Sequence, residues 1–185
     1  MIDVVLFKDT ENAIVLSKQL GWSGLVVSHN LFQVKAFSPK SRTLIDRGQV
    51  DCVYGFETVA YKDGLHQRNA GLDHILAKVM KSKQVAYGVP FHLVLGTTGV
   101  KRAQIIGRIK QNIRLARKFK VDICLASFAE KSSRMRGLGD VLAFGVSMGM
   151  RPEEAKKGLR FAAVRIEINK KKREGGYVSE KLYTI

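Results

Sequence analysis

Short apolar runs rich in β-branched residues alternate with helically periodic stretches along this chain, and that rhythm leaves few folds open. Residues 4–7, 25–28, 34–37, 51–54, 84–89 and 122–127 read as strands. Between and after them, helices are predicted over 10–20, 39–48, 72–81, 100–119, 138–150, 152–160 and 161–169. Gly21 stops the first, Pro39 and Gly48 bracket the second, and Asp73 stands near the start of the third. Strands separated by helices imply βαβ units and a parallel sheet. Runs that are apolar on both sides belong in a sheet covered on both faces. An open doubly wound sheet and a small or incomplete barrel both fit the pattern. At 185 residues the chain can build one real core, and no repeat or Pro/Gly/Ser-rich linker divides it. One α/β domain is therefore expected over residues 1–169. Residues 170–185, opening with Lys170-Lys171-Lys172-Arg173 and then Gly175-Gly176, read as a basic, flexible tail.

Charge narrows the function. Thirty-two Lys and Arg oppose sixteen Asp and Glu, for a net charge of +16, so the expected partner is a polyanion. Residues 1–60 contribute none of it: Lys8, Lys18, Lys35, Lys40, Arg42 and Arg47 are balanced by Asp3, Asp9, Glu11, Asp46, Asp51 and Glu57. The excess lies wholly in residues 61–185. It is densest from Lys101 to Lys120, where eight bases meet no acid. On a helical wheel Ile105, Ile106, Ile109, Ile113 and Ala116 share one face, with Lys110, Arg114 and Arg117 as a stripe beside it. Arg108 and Lys118 fall elsewhere on the exposed arc. A merely solvated face would interleave acids to relieve repulsion between neighbouring turns. Phosphate contact is the better reading of this one.

Enzymatic signatures are missing. His29, His66, His74 and His92 are scattered, with no His-X-His pair, no His-Glu-X-X-His and no paired cysteines. No P-loop or complete dinucleotide loop occurs. Gly96-Thr97-Thr98-Gly99 could seat a phosphate before a helix, or be a plain strand-to-helix loop. His29, His92 and Asp140 could form a metal site if each lies at the C-terminal end of a strand or in the loop after it. Asp73 reads instead as a helix-start acid beside a partly buried His74. Cys52 and Cys124, each within an apolar run, are expected as buried, reduced thiols. No apolar run approaches the ~18–20 residues that span a bilayer, and Met1-Ile2-Asp3 does not open a signal peptide. A cytoplasmic protein without membrane attachment is expected.

Gly71-Leu72-Asp73-His74-Ile75-Leu76-Ala77-Lys78, followed by Val85-Ala86-Tyr87-Gly88, closely resembles archaeal ribonuclease P protein component three, the counterpart of the eukaryotic thirty-kilodalton subunit. The resemblance continues through Arg102-Ala103, Leu115, Lys118, Leu125-Ala126-Ser127, Arg136, Asp140, Gly145 and Gly149-Met150 to Ala155-Lys156. It covers roughly residues 65–170; the first 60 share only the strand–helix rhythm. Two stretches depart from the family pattern: Gly88-Val89-Pro90-Phe91-His92 ends in His where an Arg is usual, and Ser132-Ser133-Arg134-Met135 replaces a segment often aromatic. The resemblance implies a TIM-like barrel related to PHP-type metallohydrolases, abridged in so short a chain. It also implies a noncatalytic protein subunit of ribonuclease P, assisting the catalytic RNA in removing 5′ leaders from precursor tRNA. The implied partners are the ribonuclease P RNA, protein component two as direct partner, the other protein subunits and, indirectly, precursor tRNA. No cofactor or metal is expected on this chain, and the holoenzyme RNA is expected to need Mg. Candidate RNA contacts are Arg68, Arg102, Lys110, Arg114, Arg117, Lys118, Arg136 and Lys170, with no catalytic residue. A PHP-like metal-dependent phosphoesterase is the alternative.

Overall fold

A computed structural model describes residues 1–7, 11–27, 33–60, 62–64 and 68–173. Among the described residues, six parallel strands are interspersed with helices: β1 (Ile2–Val5), α1 (Glu11–Gln19), β2 (Gly24–Val27), β3 (Gln33–Lys35), α2 (Ser41–Arg47), β4 (Cys52–Tyr54), α3 (His74–Ser82), β5 (Ala86–Pro90), α4 (Phe91–Leu95), α5 (Gly99–Lys118), β6 (Ile123–Ala126), α6 (Leu138–Ser147) and α7 (Pro152–Arg173). One ladder runs β3-β4-β5-β6 and a second pairs β1 with β2. The two meet where Val5 bridges Ala129, just past β6, and the Leu6 amide donates to the Ala129 carbonyl at 2.8 Å. Gln33 on β3 reaches across to donate to the Val5 carbonyl at 3.1 Å. The strands thus curl in the order β2-β1-β6-β5-β4-β3, an abridged, TIM-like α/β arrangement. Between the open sheet and the incomplete barrel, the barrel is found.

Strand pleating separates two packing layers. Val53, Tyr87, Val89 and Leu125 point outward and are covered by Leu76, Ala77 and Met80 of α3, by Ile105, Ile109 and Ile113 of α5, and by Val141 and Phe144 of α6. Cys52, Ala86, Cys124 and Ala126 point the other way, with Val4, Val26, Phe128 and Ala162. Small residues are needed on that inner side because little width remains. A Cβ on Gly88 would lie 2.7 Å from the Phe128 ring tip and 2.9 Å from Cys52 Sγ. Both cysteines are free and buried, as expected. Asp3 closes the β1–β6 seam: its carboxylate accepts from the Ser127 amide at 2.7 Å and the Ser127 hydroxyl at 2.6 Å.

Every predicted strand is present to within about two residues, and three readings change. Residues 152–173 form one helix, α7, where two were predicted; Lys170 to Arg173 continue it, and residues 174–185 lie outside the described residues. This helix crosses the N-terminal ends of the strands, where Arg165 Nε meets Asp51 at 2.7 Å and Lys157 meets Asp122 at 3.0 Å. A five-residue helix, α4, follows β5 directly. Residues 96–98 therefore join two helices and do not lead from a strand. Among the described residues, no helix is long and apolar enough to cross a membrane.

Candidate nucleic-acid interface

Helix α5 carries the charge that dominates the chain. Its inward face buries Ile105, Ile109, Ile113 and Ala116, while Ile106 is half-buried. Its outward face exposes Lys101, Arg102, Arg114, Arg117 and Lys118, with Lys110 half-buried. Lys110, Arg114 and Lys118 follow one another at successive turns, so their side chains are neighbours on one stripe. Arg102 Nε donates to the Thr97 carbonyl just before the helix. The Lys118 ammonium lies 5.8 Å from the centre of the Phe119 ring. Repulsion along such a stripe costs roughly 0.2–0.5 kcal/mol per like-charged pair, a cost that a bound polyanion would reverse.

Two cations on this helix differ from the wheel. Arg108 is buried, not on the exposed arc. Its guanidinium donates to the Glu57 and Val59 carbonyls at 2.9 and 3.0 Å and pairs with Asp63 at 2.9 Å. Asp63 in turn accepts from the Asn69 amide at 3.0 Å. Beside it, Asn112 is buried and donates to the Glu57 carboxylate at 2.7 Å and the Ala70 carbonyl at 2.8 Å; the Tyr87 hydroxyl donates to that same carboxylate. Burial pushes Glu57 up to about 7, against the bonds from Tyr87 and Asn112 and the charge of Arg108. The effect is structural: Arg108 and Asn112 tie the segment after β4 onto α5. Arg117, in turn, is held bidentately by Glu154 at 2.7 and 2.8 Å and donates to the Gly149 carbonyl. The acid absent from α5 is supplied here by α7.

The tethered segment delivers Arg68. Its guanidinium lies across Gly107, where a Cβ would come within 2.6 Å of Arg68 Cζ, and Gln111 donates to the Arg68 carbonyl at 2.9 Å. Arg68 thereby joins Lys110 and Arg114 on one surface. Gly107 and Gln111 were missed as site residues. An isolated glycine in a helical pattern was the one available signal, since it weakens a helix and asks for a packing reason. Two candidates lie apart from that surface. Arg136 is half-buried before α6, its guanidinium donating to the Met135 carbonyl at 2.7 Å, while the Trp22 indole donates to the Arg136 carbonyl. Lys170 is exposed near the end of α7, next to Asn169, which donates to Asp51 at 2.7 Å.

Asp73 caps α3, accepting from the Leu76 amide at 2.7 Å, but His74 is exposed where partial burial was expected. His92 is buried on α4, just past the C-terminal end of β5, its ring 5.9 Å from that of Tyr54. Burial lowers it to about 4, helped by Lys35 and Arg134 and opposed by Glu130. Asp140 is exposed on α6, and His29 and His66 lie outside the described residues. Among the described residues, no three His, Cys, Asp or Glu side chains gather as metal ligands.

Residues 58–174 match the family model for RNase P subunit p30. Ribonuclease P protein component 3 of Methanosarcina mazei is 34% identical over 114 residues, 61% of this chain and 47% of that protein. The same component of Thermococcus kodakarensis is 30% identical over 95 residues, 51% of this chain and 43% of its own length. The chain thus spans about half the length of the curated relatives it matches. A chain of the cryo-EM structure of archaeal Ribonuclease P with mature tRNA superposes with a TM-score of 0.74 at 20% identity, covering 97% of this chain and 95% of that one. The fold is therefore shared along almost the whole chain, and the sequence match takes in α3 to α7 with the basic helix among them. The chain belongs to the RNase P subunit p30 family.

Proposed function

We propose that this chain is an RNA-binding protein subunit of ribonuclease P, assisting a catalytic RNA in the endonucleolytic removal of 5′ leaders from precursor tRNA. The observation that carries the reading is the outer face of α5: a cationic stripe, extended by Arg68, inside the segment the family model matches. Arg68, Arg102, Lys110, Arg114 and Lys118 are its proposed phosphate contacts. Arg117 contributes after exchanging Glu154 for phosphate, and Arg136 and Lys170 act as outlying contacts. Structured RNA offers such a surface its phosphates and 2′-hydroxyls, because the A-form major groove is too narrow to be read. The RNA carries the chemistry with its own Mg, and the isolated chain is noncatalytic. Protein component two is the proposed direct partner, alongside the other protein subunits, in the cytoplasm.

Reconstitution with component two and the RNA over a salt series tests this. Replacing Lys110, Arg114 and Lys118 together by Ala should weaken RNA association and lower the salt slope by roughly one per lost contact, taking the DNA value as guide. The protein–protein complex, resting more on apolar burial, should persist at salt that strips the RNA away. A triple variant that binds RNA and supports cleavage like wild type would reduce the stripe to a solvated surface. Separate monomers at every salt concentration would remove the proposed partnership.

A further inference from the structure

Phe37 follows β3 with two unusual properties. More than half of it is exposed, at 58%, and its φ is +61°, in the left-handed region that favours glycine. A glycine there would remove the backbone cost, so the ring must offset it. The ring meets Phe56 edge-on, with centroids 6.1 Å apart and planes at 89°. Its tip rests over Gly71, 3.2 Å from where a Cβ would stand. Gly71 has to be glycine: φ is +80°, and a side chain would strike the Phe56 carbonyl oxygen at 2.2 Å.

Two shallow grooves meet at this ring. Lys35 and Thr58 line one, and Arg68 and Gln111 the other. Among the described residues the only acid lining either groove is Asp73, whose carboxylate is engaged in capping α3. An exposed aromatic ring, fixed by its rim and flanked by cations, is the arrangement that receives single-stranded nucleic acid: the ring stacks on a base while the cations take the adjoining phosphates. A protein partner is the poorer occupant, since grooves lined by cations and a single engaged acid, on a chain of net charge +16, draw a polyanion. The groove beyond the ring also leads, by Arg68, onto the stripe of α5.

We infer that Phe37 is a stacking platform for an unpaired base of the bound RNA, with Lys35 and Arg68 gripping the phosphates on either side. This rests on the RNA-binding reading and adds to it a single-stranded segment beside the phosphate-tracking helix.

Fluorescence anisotropy with two probes, a short single-stranded oligoadenylate and a blunt RNA duplex of similar length, separates the two ideas. Phe37→Leu keeps a β-carbon at the same backbone conformation and removes the aromatic face. It should weaken single-strand binding about tenfold, the scale of one base–aromatic stack, and leave duplex affinity and the salt slope unchanged. Phe37→Trp should restore the affinity, and its indole emission should be quenched on binding; Trp22, only 2% exposed, supplies a constant background. Thermal unfolding of both variants checks that the fold is retained. Undiminished single-strand binding by Phe37→Leu, or an equal loss for single strand and duplex, would overturn the stacking role and leave the phosphate stripe standing. If wild type binds neither probe, the RNA-binding reading itself fails.

Discussion

Gly107 has no side chain, and the guanidinium of Arg68 occupies the space. A glycine in the middle of a twenty-residue helix costs about 1 kcal/mol relative to alanine, so replacing it by alanine would ordinarily stabilise the chain. Here the new methyl would stand 2.6 Å from Arg68 Cζ. The obstacle is the far end of a flexible side chain, so the arginine swings away and the backbone stays. Gly107→Ala should therefore leave the unfolding midpoint unchanged or slightly raised while weakening RNA association. Adding Arg68→Ala to it should cost nothing more, because the displaced arginine is already out of play. A double-mutant cycle on RNA affinity checks this; independent, additive losses would show that Gly107 does not act through Arg68.

Helix α5 shows where reading a sequence succeeds and where it stops. Its limits, its aliphatic face and its lack of acids were all legible, because periodicity depends on local spacing alone. The strands were legible for the same reason. Arg108 was not: a wheel places it among exposed cations, and only tertiary structure supplies the Glu57 and Val59 carbonyls and the Asp63 carboxylate that take it inward. Arg117 was similarly hidden, since Glu154 lies thirty-seven residues away. Helix α4 is too short, at five residues, to display a period. The two kinds of arginine should separate experimentally. Arg108→Met strands two carbonyls and an acid against the helix and should cost roughly 3–5 kcal/mol, the scale for breaking a buried pair. Arg114→Ala, on the exposed face, should change stability by no more than about 0.5 kcal/mol while weakening RNA binding. Urea unfolding of the two variants measures the contrast, and equal stability losses would place Arg108 back on the surface.

At the scale of the whole molecule, the buried acids give stability an unusual dependence on pH. Glu57 is raised to about 7 and Asp3 to about 6, in both cases first by burial. Between their ordinary values near 4 and these raised ones, the folded chain holds protons that the unfolded chain has lost. Stability from these two groups is thus fully present below about pH 4 and falls as pH rises toward 7. His92 works the other way. Lowered to about 4, it stays neutral in the fold while the unfolded imidazole takes up a proton, so its contribution rises from about pH 4 to 6.5. The opposing slopes partly cancel in the wild-type curve, and a difference measurement is needed to see either one. Glu57→Gln isolates the larger acid. Protonated Glu57 and Gln have nearly the same shape, and the amide oxygen can still accept from Tyr87 and Asn112. Wild type and variant should therefore be almost equally stable at pH 4.5. At pH 8 the wild type carries a buried charge that the variant lacks, and the variant should be the more stable, by an amount on the order of a few kcal/mol. Denaturant unfolding of both chains across that range gives the difference directly. A gap that stays constant with pH would mean that Glu57 titrates at its ordinary value in the fold, with Arg108 and the hydrogen bonds fully compensating its burial. A gap that opens with the wild type ahead at pH 8 would reverse the sign, making the carboxylate a stabilising partner of Arg108.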